Sequence, residues 1–134
     1  MVVGALSAAA VFDVGSATAE AAPSVSRFAG TYVGRDPLRW SSNYGYLWIV
    51  TISDGGRITG SYSGGGHSKG SISGRVGDDG RYSFTVSVTT PSIAGWGQKW
   101  VTSRYDSVGN LTPDVDGNIV GTPDVGESFL WVRQ

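Results

Sequence analysis

Few residues in this chain have the chemistry for catalysis. His67 is the only histidine, and it stands beside Ser68 in Gly64-Gly65-Gly66-His67-Ser68-Lys69-Gly70. A base next to a hydroxyl suggests nucleophilic chemistry. Adjacent residues in a glycine-rich connection seldom meet in the geometry this needs, and such a loop does not hold a site rigid. His67 therefore reads as an exposed loop residue. The same glycines join two strands instead of opening a helix, which makes them a poor phosphate cradle. Asp114-Val115-Asp116-Gly117-Asn118 has the middle of a calcium loop, but Thr112 and Pro123 occupy the first and last of its twelve positions. It reads as an Asp-Gly turn. Glycosidic chemistry needs paired carboxylates, one of them in an apolar cleft. Most acidic residues here sit in turns, and only Asp106, next to Tyr105, falls near the end of a strand. Cysteine is absent, which excludes thiol catalysis and disulfides. The chain is expected to be non-catalytic, with no cofactor and no metal.

The aromatic residues are the more informative set, with five Trp and six Tyr. Trp48 and Trp131 fall in strand patterns and read as core. Trp40 and Tyr44 lie in one connection, Trp96 in another, and Trp100 just inside a strand. If both connections open at the same barrel end, these side chains can line its mouth, where such folds bind ligands. The expected ligand-binding set is Trp40, Tyr44, Tyr62, Trp96 and Trp100, holding a small apolar or aromatic molecule. A hydrophobic plug built from the same residues is the competing expectation.

The elements that would position them are strands. Residues 46–89 read as four strands joined by Asp-Gly and Gly-rich turns, since positive φ favours Asp and Gly there. Arg81–Thr89 is the clearest, with Tyr82, Phe84, Val86 and Val88 on one side and hydroxyl residues on the other. Gly60 and Gly74 fall on the inner side and allow close approach of a bulky neighbour such as Phe84. A first strand is expected over Ser26–Arg35, a second over Tyr46–Ser53 covered on both faces, a sixth over Lys99–Asp106 and a last over Glu127–Arg133. The pattern predicts an all-β, antiparallel up-and-down meander of eight or nine strands, closed into a barrel. A two-sheet β-sandwich is the alternative.

Composition narrows the function classes further. With 134 residues and a formal net charge of −1, the chain suits one domain and shows no basic footprint for nucleic acid. Residues 1–25 form an Ala-rich segment distinct from the domain expected over 26–134. Val2–Phe12 has the length of a signal-peptide core, and Ala19-Glu20-Ala21 resembles a cleavage site. The run is too short for a membrane span. Export is expected, to the periplasm, the cell surface or the medium. Low charge and the Ser83, Thr85, Ser87, Thr89 face also suit self-association, so a structural, self-assembling protein is a second expectation. Carbohydrate binding through exposed Trp faces is a third.

Phe28-Ala29-Gly30-Thr31-Tyr32, followed by Ile49-Val50-Thr51-Ile52-Ser53-Asp54-Gly55-Gly56-Arg57-Ile58-Thr59-Gly60-Ser61-Tyr62, resembles the first hairpins of the avidin and streptavidin family. Ser73-Gly74-Arg75 sits about where that family has a similar Thr-Gly-Arg. The likeness covers the first half of the domain and implies a small secreted barrel of calycin type. Tyr62 falls on a family tyrosine that contacts biotin. Gly34 stands where the family has an Asn, Gly64 where it has a Ser, and Phe84–Val88 lacks the family's Trp. The resemblance thus implies the fold without the biotin site, because unpaired buried polar atoms cost about 1–3 kcal/mol each.

Overall fold

The structure, a computed structural model, describes residues 24–35, 47–63, 68–94 and 97–134. A 3-10 turn over Val25–Phe28 precedes eight strands. These are β1 (Gly30–Arg35), β2 (Leu47–Ile52), β3 (Arg57–Ser63), β4 (Lys69–Val76), β5 (Arg81–Ala94), β6 (Gly97–Pro113), β7 (Ile119–Pro123) and β8 (Phe129–Arg133). Each pairs antiparallel with its neighbours in the chain, and β8 returns to β1 to close a barrel. It is one closed sheet, not a two-sheet sandwich. Among the described residues there is no α-helix, and no helix is long and apolar enough to cross a membrane.

Alternation decides what goes inside. Trp48, Val50 and Ile52 on β2 are buried, as are Tyr82, Phe84, Val86 and Val88 on β5. An eight-stranded barrel is just wide enough to be filled by such side chains. Gly74 lies opposite Phe84, and a Cβ there would collide with the Ser83 carbonyl oxygen and the Phe84 backbone. The close approach read from the sequence is therefore present.

Three expectations about the strands are corrected. The expected cover on both faces of the second strand is absent among the described residues, because Leu47 and Ile49 are 50% and 55% exposed. The first strand does not start at Ser26. The Ser24 side chain accepts from Ser26 N, and Ala29 N donates to Ser26 O, which bends 25–28 into a 3-10 turn. The sixth strand continues through Gly109 to Pro113 instead of stopping at Asp106, so the count is eight.

One end of the barrel is tied shut. The β2–β3, β4–β5 and β6–β7 turns gather there, with Val76 N donating to Gly56 O and Leu111 N to Gly80 O, both at 2.8 Å. Phe28 is fully buried beneath them, and Arg27 Nη1 donates to Asp78 O at 2.5 Å. Arg133, at the end of β8, joins four segments. Its Nε donates to Gly117 O (3.0 Å), Nη1 to Ala29 O (3.1 Å) and Nη2 to the Tyr32 hydroxyl (2.9 Å). Its guanidinium also lies 5.0 Å from the Tyr32 ring centroid. The Tyr32 hydroxyl in turn donates to Phe28 O at 2.5 Å.

Two predictions follow from the Arg133 and Tyr32 contacts. Arg133→Ala should cost about 2 kcal/mol, the scale of hydrogen bonds to a charged group, read as a lower urea midpoint with an unchanged slope. Burial pushes the Tyr32 phenol above its ordinary value, with Arg133 pulling the other way. The unfolded chain therefore loses this proton first as pH rises. Stability from this group should be complete below about pH 10 and fall above it. Tyr32→Phe should flatten that decline in melting curves taken across the alkaline range.

Candidate functional site

Among the described residues, the chemistry-bearing side chains do not converge. His67 lies outside the described residues, and Ser68 is buried. Asp114 Oδ1 accepts from Asp116 N and Asn118 N, both at 2.9 Å, which is the chemistry of a tight turn. Among the described residues, no group of three or more His, Asp or Glu could hold a metal ion.

Of the expected aromatic set, Trp40, Tyr44 and Trp96 lie outside the described residues. The strand ends flanking both aromatic connections, Arg35 and Leu47 and then Ala94 and Gly97, lie at the barrel end opposite the tied one. Tyr62 belongs to β3 and pairs with Gly70. Trp100 pairs with Pro91 on the extended part of the β5–β6 hairpin and is 54% exposed. It shares the outward alternation of Asp106 and does not border the barrel cavity.

That cavity lies lower and to one side. It has a volume of about 140 Å³. Trp48, Ile72, Phe84 and Val86 form its floor, with Phe129 and Trp131 on one flank. Its mouth runs between Tyr105–Ser107 of β6 and the segment from Pro123 to Glu127 that joins β7 to β8. Unequal strand lengths produce the opening. β5 and β6 run 14 and 17 residues, β7 and β8 only five each. β7 pairs with β6 from Gly109 to Pro113 and then departs, leaving a gap in the wall.

The floor and flank are a contiguous aromatic stack. Tyr82 and Phe84 stack with centroids 4.9 Å apart and planes 17° from parallel. Phe129 meets Tyr82 edge-on at 6.0 Å and lies 5.0 Å from Trp131. Offset and edge-on contacts of this kind add about 0.5–1.5 kcal/mol beyond burial. Gly121 lies opposite Phe129, and a Cβ there would overlap the Phe129 ring. Gly34 admits Trp131 likewise, since its Cβ would sit 2.5 Å from Trp131 Cδ1.

Polar groups border the mouth. The Ser107 hydroxyl and the Tyr82 hydroxyl are 2.8 Å apart, and burial pushes the Tyr82 phenol above its ordinary value. Asp106 Oδ1 accepts from the Thr85 hydroxyl at 2.6 Å on the outer face. Arg81 forms a two-pronged ion pair with Asp124, which holds that carboxyl below its usual range and pins the start of the 124–128 segment. Sequence reasoning read Trp48 and Trp131 as core and set Phe84 on the inner side of its strand, and missed that these residues also face a void. Alternation marks a residue as inward, but the cavity comes from where β7 leaves β6.

No family model matches the chain, and no curated protein or solved structure matches it either.

Gly121→Ala should displace the Phe129 ring and destabilise by about 1–3 kcal/mol through overpacking. Equilibrium denaturation checks this, with near-UV circular dichroism reporting the disturbed aromatic stack.

Proposed function

We propose that this barrel is an exported, non-catalytic binding module that holds one small aromatic or apolar ligand in the lateral cavity. The carrying observation is the void of about 140 Å³ walled by Trp48, Phe84, Phe129 and Trp131. An apolar cavity of roughly 150 Å³ accommodates a single benzene-sized ring. Edge-facing backbone groups at Asp106 and the Ser107 hydroxyl supply partners for one polar substituent. The export reading draws on the Val2–Phe12 run and Ala19-Glu20-Ala21. A calycin-type relationship draws on the Gly30-Thr31-Tyr32 strand and the eight-stranded meander. Gly34 and its Trp131 neighbour speak for a ligand unlike biotin, because the indole stands where a side chain at position 34 would begin.

Native mass spectrometry on protein purified without denaturation tests this reading. A fixed extra mass that leaves on unfolding is expected. Indole should then perturb Trp131 and Phe84 resonances in a saturable titration. Val86→Phe, which fills the cavity from its floor, should abolish saturation while the barrel still melts cooperatively. A clean apo mass with no indole saturation would show the aromatic cluster to be a plug.

A further inference from the structure

The opening in the barrel wall also leaves a strand edge, and its residues are arranged to match a second copy of themselves. From Gly97 to Ser107, β6 pairs only with β5 among the described residues. Which backbone groups face outward follows from two hydrogen bonds. Leu111 N donates to Gly80 O on the β5 side, whereas Val108 O accepts from Asp124 N on the other side. Backbone direction alternates along an antiparallel strand, and the β5–β6 register runs without interruption from Arg81↔Asn110 to Ala94↔Gly97. The N–H and C=O groups of Trp100, Thr102, Arg104 and Asp106 therefore point away from β5. A long edge of this kind is a template for another strand.

We propose that two copies pair antiparallel through these edges, about a two-fold axis at Thr102. In that register Thr102 faces Thr102 of the second copy, and Trp100 faces Arg104 of the second copy on each side of the axis. The three pairs exchange about six backbone hydrogen bonds. The spacing makes the edge self-complementary. Trp100 is half-exposed and Arg104 exposed, so each guanidinium meets an indole face, and the central threonines form a favoured cross-strand pair. Val101, 45% exposed on the other face, comes to lie beside Ser103 of the second copy. A register centred on Ser103 would bring the two Arg104 side chains into diagonal contact. One centred on Tyr105 would drive the second strand into β7, which occupies the edge from Gly109. The Thr102 register avoids both. It also sets Lys99 of the second copy opposite Tyr105, at the mouth of the cavity, so each copy contributes a residue to the other's site.

Because the chain has no cysteine, one substitution can report the register. Thr102→Cys should give a disulfide-linked dimer under mild oxidation, since directly opposed residues bring their Cα atoms to about 5.5 Å, within disulfide range. Arg104→Cys should not, because its two copies stand four residues out of register. Light scattering on the unmodified protein should give twice the mass of one chain. The double variant Trp100→Ala with Arg104→Ala should give the mass of one chain and still melt cooperatively, as both side chains lie outside the barrel core and only the stabilisation by association is lost. A single-chain mass for the unmodified protein would overturn the proposal. So would equal cross-linking of both cysteine variants, or a double variant that stays dimeric. Should the Thr102→Cys protein fail to fold, the mass of the double variant decides the question by itself.

Discussion

Closure of the sheet is the constraint on which everything else here depends. An eight-stranded meander left open would have two free edges and a half-exposed interior. Three residue pairs, Tyr32↔Arg133, Val33↔Val132 and Gly34↔Trp131, join its ends. Each does a different task. Gly34 makes room for the Trp131 indole, Val33 and Val132 continue the ladder, and Arg133 reaches from β8 to Tyr32, Ala29 and Gly117. The guanidinium satisfies three acceptors at the tied end, the carbonyls of Gly117 and Ala29 and the Tyr32 hydroxyl. Short as it is, this joint fixes the register of β8 on β1, where a one-residue slip would turn the slipped strand's side chains to the other face.

The tied end and the gap in the wall are two results of one length mismatch. Near the turns of the tied end all eight strands have neighbours. Toward the other end β5 and β6 outrun β7 and β8, and the wall between β6 and the 124–128 segment is missing among the described residues. The aromatic stack lies at the level where the wall gives out, so Phe84 and Phe129 have packing partners on one side and a void on the other. The Arg81–Asp124 ion pair stands at the lower corner of that gap. It links the start of β5 to the residue after β7, across β6, at the last rung of the β6–β7 ladder.

Much of the fold was legible because its physics is local. Period-two alternation in Arg81–Thr89 put Tyr82, Phe84, Val86 and Val88 inside, and Asp-Gly pairs marked the turns at 54–55 and 79–80. Closure could be inferred from apolar residues near the end of the chain. What was not legible came from relations between strands. Leu47 and Ile49 suggested a strand covered on both faces, yet their neighbours Val33 and Val132 are also outward, so β2 has an apolar outer face with no second layer on it among the described residues. Ser103 and Ser107 are polar on the inward alternation of β6, which hid the continuity of that strand through Gly109. The cavity was hidden for a related reason. Its walls are residues that also make the core, and no pattern within one strand announces where the neighbouring strand ends.

The closing joint has a further consequence, for the order in which the barrel can be built. Every other pairing links strands adjacent in the chain, so it closes a short loop at small entropic cost. The Arg133–Tyr32 contact spans 101 residues. The cost of closure grows with the logarithm of loop length, and it falls wholly on this joint, against the return of only three residue pairs. Hairpins such as β5–β6 can form early, while the ends meet only after the intervening strands have already shortened the effective loop. Until they meet, β1 and β8 present two unpaired edges together. The stretch that makes the native barrel edge-free on that side is thus the stretch that leaves its assembling form most open to pairing with the wrong chain.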